Sequence, residues 1–254
     1  MLCRQILFLV LLIGSDAQLF GFRFLGGGPA TLFGINEASG ASTSIGPVGF
    51  SQCGGADVHP FTGVVYAGCG TNLVTINTAT GAGTLVGVMS GTSNTADIAF
   101  RSDGVLFLVN PSYELFTVDT ATGIDTLVGV MAPLSGAGLG LTFDNLNRLI
   151  LSTGGGPAVM RNFFVIDQAT AEAVVLSPLL PICVTPDPLF TRYTSLTTKP
   201  DGTILGTLAC EYGSSTDGAL AVVNPNTGAG VAIGQTGRMD GLFYVTPASL
   251  IGSE

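Results

Sequence analysis

The stretch Leu73–Gly87 reads LVTINTATGAGTLVG, and four related stretches occur elsewhere in the chain. In each copy an apolar segment leads to an Asn or Asp, and ten residues later stands a Gly or, once, a Ser. The alternating apolar residues indicate two strands, and the Asx side chain and Gly are typical of the turn that joins them. Each copy therefore predicts a β-hairpin. The other copies are Leu32–Gly46, Leu115–Gly129, Phe163–Ser177 and Leu220–Gly234.

A second predicted hairpin lies between successive copies, with a turn such as Asp-Gly or Thr-Gly. The Asx residues of the five copies are 41, 42, 48 and 57 residues apart, so each repeat holds four antiparallel strands and no helix. That size and content are typical of a propeller blade. One blade alone cannot bury both of its faces, whereas a closed ring of blades buries them and removes exposed edges. The second hairpins are Ala56–Ala67, Asp97–Val109, Leu141–Leu151 and Ser195–Leu208.

The two ends of the repeat region predict how the ring closes. Asp240–Val245 resembles the first strand of a blade, and Leu19–Leu25 stands where a second strand belongs, ahead of the first copy. The sequence GGGPA follows a predicted second strand twice, at Gly26–Ala30 and Gly154–Ala158, which supports this placement. We therefore predict an all-β, five-bladed β-propeller of four-stranded antiparallel blades. Its C-terminal innermost strand joins an N-terminal blade and closes the ring.

Residues 1–17 have the features of a secretory signal peptide. Arg4 precedes the apolar run Ile6–Ile13, and Ser15 and Ala17 are small residues at the −3 and −1 positions of a cleavage site. The apolar run is much shorter than the roughly 20 residues that span a bilayer. We therefore expect cleavage after Ala17, a secreted extracellular protein with no membrane span, and one propeller domain over residues 18–254.

Four of the five cysteines lie after the leader, and an even number in an exported chain favours disulfides over metal ligands. Cys53 and Cys69 flank one hairpin nearly symmetrically. Cys183 and Cys210 lie before and after the matching hairpin of the last blade. The sequence therefore predicts the disulfides Cys53–Cys69 and Cys183–Cys210. A zinc site is poorly supported because His59 is the one histidine of the chain.

The composition limits the partners of the protein. Charged residues make up 10% of the chain, against roughly 25% in ordinary soluble domains, and the net charge is −9. Eight scattered Lys and Arg residues cannot form the positive stripe that nucleic-acid binding requires. A surface rich in Ser, Thr, Asn and Gly, with apolar side chains exposed, favours association. We expect a protein or glycan ligand, or self-association, and no nucleic acid.

The repeat unit is similar to that of secreted β-propeller repeat proteins. The similarity rests on a pattern of turn and core residues at fixed spacing. In Leu73–Gly87 the pattern consists of Leu73, then Ile76 and Asn77, then Thr80 and Gly81, and finally Val86 and Gly87. It covers essentially all of residues 18–254. Because the unit consists of turn and core positions, the resemblance implies the fold and little about function.

In such propellers ligand sites lie most often at the end of the channel where the innermost strand of each blade begins, which we call the loop face. The longest predicted connections at this face are Gly154–Arg161, Pro178–Phe190 and Cys210–Asp217. Insertions in one sector of one face favour a functional site, although tolerant loops also lengthen without one. Exposed aromatic and Arg residues here are candidate ligand contacts: Arg192, Tyr193, Tyr212 and Arg238.

Three carboxylates are candidates for a channel site. Asp57, Asp97 and Asp240 are predicted to lie on the innermost strands of three successive blades. Five-bladed glycosidases place three carboxylates in this way, so the resemblance implies glycan hydrolysis as one alternative. The chain departs from that pattern because no Glu lies on a predicted innermost strand and it has no Trp. Clustered oxygens could instead hold Ca²⁺, or each Asp could bond nearby backbone.

We therefore expect a non-enzymatic extracellular interaction or structural module that self-associates, with no cofactor. The alternative is a glycan-directed enzyme or lectin that uses the acidic channel residues and the loop-face aromatics. Convergence of Asp57, Asp97 and Asp240 within coordination distance would favour the alternative.

Overall fold

The computed structural model describes residues 18–24, 28–154, 161–180, 192–209 and 218–246. These residues form twenty β-strands in five four-stranded antiparallel sheets, which are the blades of a β-propeller. The predicted fold is therefore confirmed. Within the described residues there is no helix long and apolar enough to cross a membrane.

Blades 2 to 5 each use four consecutive strands, and blade 1 is composite. From the channel outward, blade 1 consists of β20 (Gly241–Val245), β1 (Gln18–Arg23), β2 (Thr31–Ile35) and β3 (Ser42–Pro47). Blade 2 consists of β4 (Cys53–Val58), β5 (Val65–Cys69), β6 (Asn72–Ile76) and β7 (Gly83–Val88). Blade 3 consists of β8 (Asp97–Phe100), β9 (Leu106–Val109), β10 (Glu114–Val118) and β11 (Asp125–Val130). Blade 4 consists of β12 (Ala137–Phe143), β13 (Leu149–Gly154), β14 (Asn162–Ile166) and β15 (Ala173–Pro178). Blade 5 consists of β16 (Arg192–Thr198), β17 (Ile204–Ala209), β18 (Ala219–Asn224) and β19 (Ala229–Gln235).

The ring closes where the last strand of the chain pairs with the first. β20 is antiparallel to β1, with Phe243 opposite Phe20, and the two rings stack with their centroids 5.3 Å apart. The innermost strands β4, β8, β12, β16 and β20 pack side by side around the channel. Blade 1 therefore depends on both ends of the repeat region, as the sequence predicts.

The hydrophobic core is divided among the seams between blades. The described residues form five clusters of buried side chains, and each cluster combines two neighbouring blades. In the seam between blades 1 and 2, for example, Phe22 and Phe243 pack with Val65. In the seam between blades 5 and 1, Leu205 packs with Leu242. Each blade thus buries its faces against its neighbours, so stability depends on an unbroken ring.

The predicted turns of the outer hairpins are present. Oδ1 of Asn77 accepts the backbone N–H of Ala79 at 3.0 Å and of Thr80 at 3.1 Å, and Gly81 takes a φ of +84°. Blade 4 places Ala171 at the position of that Gly, with a φ of +61°. The same Asx bond to the residue two positions on is made by Asn36, Asp119, Asp167 and Asn224.

The second Gly of the repeat joins neighbouring blades, which the sequence analysis does not predict. Gly87 at the end of β7 lies against the turn of blade 3, and a Cβ added there would overlap the carbonyl oxygen of Thr122. A Cβ added at Gly123 would come within 2.8 Å of the carbonyl carbon of Gly87. In blade 4 Ser177 replaces the Gly, and its Oγ donates to the carbonyl of Pro225 at 2.7 Å. The other seams have equivalent Gly contacts, made by Gly46, Gly129 and Gly234.

Candidate functional site

A cavity of about 310 Å³ lies at the loop face and receives residues from all five blades. We call it the mouth cavity. Its polar residues stand just before or at the start of the innermost strands, so the beginnings of those strands set the shape of the site. These polar residues are Gln52, Asn94, Thr95, Arg192, Thr194, Arg238 and Asp240.

Arg238 and Asp240 form an ion pair in the wall of the mouth cavity. Nε of Arg238 donates to Oδ1 of Asp240 at 2.8 Å, and Nη2 lies 2.8 Å from the same oxygen. The second carboxylate oxygen accepts the backbone N–H of Phe24 at 3.0 Å. Nε of Arg23 donates to the carbonyl of Arg238 at 3.1 Å. Both predicted site residues are thus held in a fixed position at the loop face.

Arg192, the first residue of β16, lines the same cavity although the residue is only 7% exposed. Its aliphatic stem crosses Gly138 of blade 4. A Cβ added at Gly138 would come within 2.9 Å of Cβ and 3.1 Å of Cδ of Arg192. Because Gly138 has no side chain, the aliphatic part of Arg192 can pack directly against its backbone. The structure brings together three of the predicted site residues, Arg192, Arg238 and Asp240, around one cavity.

Asp97 is fully buried inside the channel and does not line the mouth cavity. Its Oδ2 accepts the N–H of Leu141 at 2.8 Å, the N–H of Leu196 at 3.4 Å and the hydroxyl of Ser195 at 3.0 Å. Its Oδ1 accepts the N–H of the next residue at 2.9 Å. The Ser195 oxygen in turn accepts the N–H of Leu242 at 3.0 Å.

These bonds make Asp97 the meeting point of the blades. They connect blade 3 with blades 4 and 5 and, through Ser195, with blade 1. Blade 2 touches the same carboxylate, since a Cβ added at Gly55 would overlap Oδ1 of Asp97. Burial raises the pKa of Asp97, and its four hydrogen bonds act in the opposite direction. The contacts of the Asp97 carboxylate with the described residues therefore indicate that it joins the blades to one another.

Asp57 lies at the opposite end of the channel, which we call the far end. Its Oδ1 accepts the N–H of Val58 at 2.8 Å, and its Oδ2 accepts the N–H of Phe100 in blade 3 at 2.7 Å. Burial raises the pKa of Asp57 to about 6, although both hydrogen bonds favour the ionised form. Asp57, Asp97 and Asp240 therefore occupy three different environments, and of the three only Asp240 is among the described residues that line the mouth cavity. The described ranges contain no group of three or more His, Cys, Asp or Glu residues that could hold a metal.

A cavity of about 720 Å³ lies at the far end, in a place that the sequence analysis does not single out. Phe61 and Tyr244 line it together with Asp57, and Phe61 is 72% exposed. Nζ of Lys199 donates to Oε2 of Glu37 at 2.7 Å and lies 5.3 Å from the centre of the Tyr244 ring. The far-end cavity thus combines aromatic rings, one carboxylate and one ammonium group among its described lining residues.

Tyr193 follows Arg192 at the loop-face end of β16, but its side chain does not line the mouth cavity. It is fully buried in the seam between blades 4 and 5, with its ring centroid 5.7 Å from that of Phe163. Successive residues of a strand face opposite sides, so Arg192 reaches the mouth cavity while Tyr193 enters the core. Burial raises the pKa of its hydroxyl. The fourth predicted contact, Tyr212, lies outside the described residues.

The predicted disulfide Cys53–Cys69 is confirmed. It connects the start of β4 with the end of β5, where the two residues are opposite each other in the sheet. Because Cys53 also lines the mouth cavity, the bond fixes part of its wall. Cys183 and Cys210 lie outside the described residues, so their pairing stays a prediction.

Four polar residues of the mouth cavity are absent from the sequence-based candidates: Gln52, Asn94, Thr95 and Thr194. Two of them also fix local backbone. The hydroxyl of Thr95 donates to the carbonyl of Gly70 at 2.9 Å, and that of Thr194 donates to the carbonyl of Met239. The signal that could have found them is a polar residue just before or at the start of a predicted innermost strand.

No protein-family model matches the chain, and no curated protein sequence matches it. Solved structures with the same fold include a chain from the crystal structure of a nidogen/laminin complex. It is 10% identical, with a TM-score of 0.59 over 91% of this chain and 98% of its own length. The putative TolB from Agrobacterium tumefaciens is 9% identical, with a TM-score of 0.51 over 90% of this chain and 89% of its own. At identities this low, the similarity shows the β-propeller fold alone.

Proposed function

We propose that the chain is a secreted, non-enzymatic binding module that holds a protein ligand at the mouth cavity. The observation that carries this proposal is the convergence of all five blades on one polar cavity at the loop face. Its charged groups are held in place by the fold, through the Arg238–Asp240 pair and the packing of Arg192 on Gly138. A rigid site of this kind binds without a large loss of side-chain freedom.

The arrangement of carboxylates supports binding over hydrolysis. A glycosidase needs one protonated and one ionised carboxyl group at a defined separation. Among the described residues that line the mouth cavity, Asp240 is the one carboxylate, and it is paired with Arg238. Asp57 and Asp97 accept backbone N–H groups from neighbouring blades. These roles connect blades and need no substrate.

Two features support an extracellular location. Residues 1–17 have the composition of a signal peptide. The Cys53–Cys69 disulfide is typical of proteins from oxidising compartments. Binding to another protein also agrees with the occurrence of this fold in a nidogen/laminin complex.

A pair of matched variants tests the proposal. Asn94→Trp places a bulky ring at the mouth cavity, and Thr62→Trp places the same ring in an exposed turn at the far end. Immobilised wild type and both variants are incubated with extracellular material from the organism that produces the protein. The retained proteins are then quantified by mass spectrometry. We expect one set of proteins to be retained by wild type and Thr62→Trp and lost on Asn94→Trp. Equal retention by all three would contradict the proposal.

Self-association is the second part of this proposal, and the outermost strands support it. β7 and β11 are the edge strands of blades 2 and 3, and they expose apolar side chains at equivalent positions. These side chains are Leu85 and Val88 in β7 and Leu127 and Val130 in β11. Exposed apolar edges that carry few charges favour pairing with another chain. Light scattering should show a larger mass for wild type than for Leu85→Lys. The control Thr84→Lys adds the same charge without removing an apolar group, and an equal effect of both would contradict this part.

The far-end cavity favours a second candidate function, recognition of a glycan. Exposed Phe61 offers an apolar ring to a sugar face, while Asp57 and Lys199 offer an acceptor and donors to hydroxyl groups. A glycan array probed with wild type and Phe61→Ala tests this candidate. Signals present with wild type and lost on Phe61→Ala would support it, and the absence of any signal would reject it.

A further inference from the structure

We infer that the far-end cavity binds an amino sugar, with the free ammonium group of the sugar against Asp57 and the sugar ring against Phe61. Both residues line this cavity. The inference rests on the second candidate function, recognition of a glycan, and names the class of glycan. A neutral glycan would satisfy that candidate, whereas the inference requires a positive charge on the ligand.

The Asp57 carboxylate lies at this cavity without a cationic partner. None of the ion pairs among the described residues includes it. Its two oxygens accept one backbone N–H each, from Val58 and Phe100, although a carboxylate has acceptor sites for about four donors. Burial raises the pKa of Asp57 to about 6, and only these two N–H groups act in the opposite direction. A positively charged ligand would therefore supply the compensating charge that this carboxylate lacks.

Lys199 also lines the far-end cavity, but its charge is already offset. Nζ of Lys199 lies 2.7 Å from Oε2 of Glu37, and this hydrogen bond is the main cause that raises the pKa of Lys199. The Asp57 carboxylate thus remains uncompensated among the described charges of the cavity. The chain as a whole has a net charge of −9, so its overall field also favours a cation.

Phe61 is an exposed ring that the fold holds in place. The residue is 72% exposed, and its backbone N–H donates to Nδ1 of His59 at 3.2 Å. The rings of His59 and Phe61 meet edge to face at 5.8 Å, and the His59 ring lies 5.1 Å from that of Phe100 in blade 3. The turn that carries Phe61 is therefore anchored on the next blade. An aromatic face that is ordered in advance loses little side-chain freedom on binding, and it suits the apolar face of a sugar ring.

The size and lining of the cavity favour a sugar over the side chain of a basic peptide. Its volume of about 720 Å³ lies in the upper half of the roughly 300–1,000 Å³ of ligand pockets. One extended Lys side chain would fill a small part of that volume, whereas linked sugar rings would fill more of it. Thr62 and Thr246 are exposed in the lining and offer hydroxyl groups to the sugar.

The test uses three soluble probes with the secreted full-length protein. They are a β-1,4-linked glucosamine tetramer, the same tetramer with every amine acetylated, and the blocked peptide acetyl-Gly-Lys-Lys-Gly-amide. Calorimetry or NMR titration is done just above the pKa of Asp57, about 6, where the carboxylate is ionised and the sugar amine keeps its proton. The glucosamine tetramer should bind saturably, and the other two probes should bind at least tenfold more weakly.

Variants assign the binding to the two residues. Asp57→Asn and Phe61→Ala should each weaken binding of the glucosamine tetramer tenfold or more. Asp119→Asn is the matched control for charge, because it removes a carboxylate from the outer turn of blade 3. Leu146→Ala is the matched control for the ring, because it removes a side chain that is 71% exposed in a turn of blade 4. Both controls should leave binding unchanged.

The contrary results are distinct. Equal binding of the free and acetylated tetramers would show that the positive charge is not recognised, and a preference for the Lys peptide would assign the cavity to basic proteins. Binding lost on Asn94→Trp and kept by Phe61→Ala would place the site at the mouth cavity. Each of these results would overturn the inference. If Asp57→Asn fails to fold, the exposed Phe61 substitution and the two tetramers still decide the matter.

Failure of this inference is distinguishable from failure of the glycan candidate. Array signals from neutral glycans that depend on Phe61, without binding of the glucosamine tetramer, would overturn the inference alone. Absence of binding to any glycan would reject the candidate and the inference together. Neither result affects the binding of a protein at the mouth cavity, which the Asn94→Trp variant tests separately.

Discussion

Gly87 of blade 2 lies so close to Thr122 of blade 3 that no Cβ fits between the Gly87 backbone and the Thr122 carbonyl oxygen. This contact explains the Gly that closes the repeat. The Asx turn of one blade docks on the outermost strand of the previous blade, and the Gly lets the two backbones touch. The repeat thus specifies both the hairpin and its contact with the next hairpin.

Gly87→Ala should therefore destabilise the protein by about 2–3 kcal/mol, since overpacked contacts between backbones cannot relax by rotating a side chain. The matched control is Gly34→Ala, where the nearest atom to an added Cβ is Cδ1 of Ile45 at 3.7 Å. Urea unfolding of the two variants measures the difference. Equal free energies of unfolding for both variants would show that the contact between blades contributes nothing.

Asp97→Asn should lower the free energy of unfolding by about 2–4 kcal/mol. The new amide group must face N–H donors that now point at carboxylate oxygens, and buried donors left without an acceptor are costly. Asp201→Asn is the control, because that exposed carboxylate accepts the N–H of Thr203 within its own turn and, among the described residues, makes no hydrogen bond to another blade. If chemical denaturation finds the two variants equally stable, Asp97 does not hold the blades together.

The stability contributed by Asp57 should fall as pH rises from about 4 to about 6. Burial raises the pKa of Asp57 from 3.8 to about 6 in the folded protein, so the folded state binds this proton more tightly than the unfolded state. The difference is worth at most about 3 kcal/mol. Denaturation at several pH values should show wild type losing stability relative to Asp57→Asn over this range. If the stability of wild type relative to Asp57→Asn stayed constant or increased as pH rises, the prediction would be wrong.

The stability contributed by Asp201 should change with pH in the direction opposite to that contributed by Asp57. The N–H of Thr203 lowers the pKa of the Asp201 carboxyl, so the stability it contributes is lost as pH falls through that lowered pKa. Wild type should therefore gain stability relative to Asp201→Asn as pH rises. If the stability of wild type relative to Asp57→Asn and to Asp201→Asn changed in the same direction with pH, the cause would be the net charge of the protein and not the two local environments.

Two disulfides should be found in the secreted protein, Cys53–Cys69 and Cys183–Cys210. The first closes a loop with a sequence separation of 16 and should contribute about 3 kcal/mol by restricting the unfolded chain. Replacing Cys53 and Cys69 together with Ala should lower the free energy of unfolding by about that amount. Peptide mapping without reduction would contradict the prediction if it found crossed pairs or free thiols at these four positions.

The fold could be predicted from sequence because its signals are local. Asn77 and Gly81 mark a turn by their own chemistry, and the recurrence of that turn gives the number of blades. The composite blade could be predicted because Asp240–Val245 resembles an innermost strand and Leu19–Leu25 stands where a second strand belongs. The contact of Gly87 with Thr122 joins distant residues, and no spacing within one repeat encodes it.

The candidate site was predicted less well because it depends on where each innermost strand begins. The sequence places the start of one hairpin at Ala56, whereas β4 begins at Cys53, so Asp57 lies toward the far end. Asp240 stands just before β20 and reaches the mouth cavity. A difference of a few residues in where an innermost strand begins thus places Asp57 and Asp240 at opposite ends of the channel, although both belong to predicted innermost strands. Strand alternation likewise sends Tyr193 into the core beside Arg192.

We propose that this propeller binds a partner without catalysing a reaction, and a hydrolysis panel can decide between binding and glycan hydrolysis. Purified wild type, Asp57→Asn and Asp240→Asn are incubated with common α- and β-linked glycans, and released reducing ends are measured. We predict no turnover by any of the three proteins, since the far-end and mouth cavities each have one carboxylate among their described lining residues. Turnover by wild type that is lost on either substitution would rule out a non-enzymatic binding module and establish a glycan-hydrolysing enzyme.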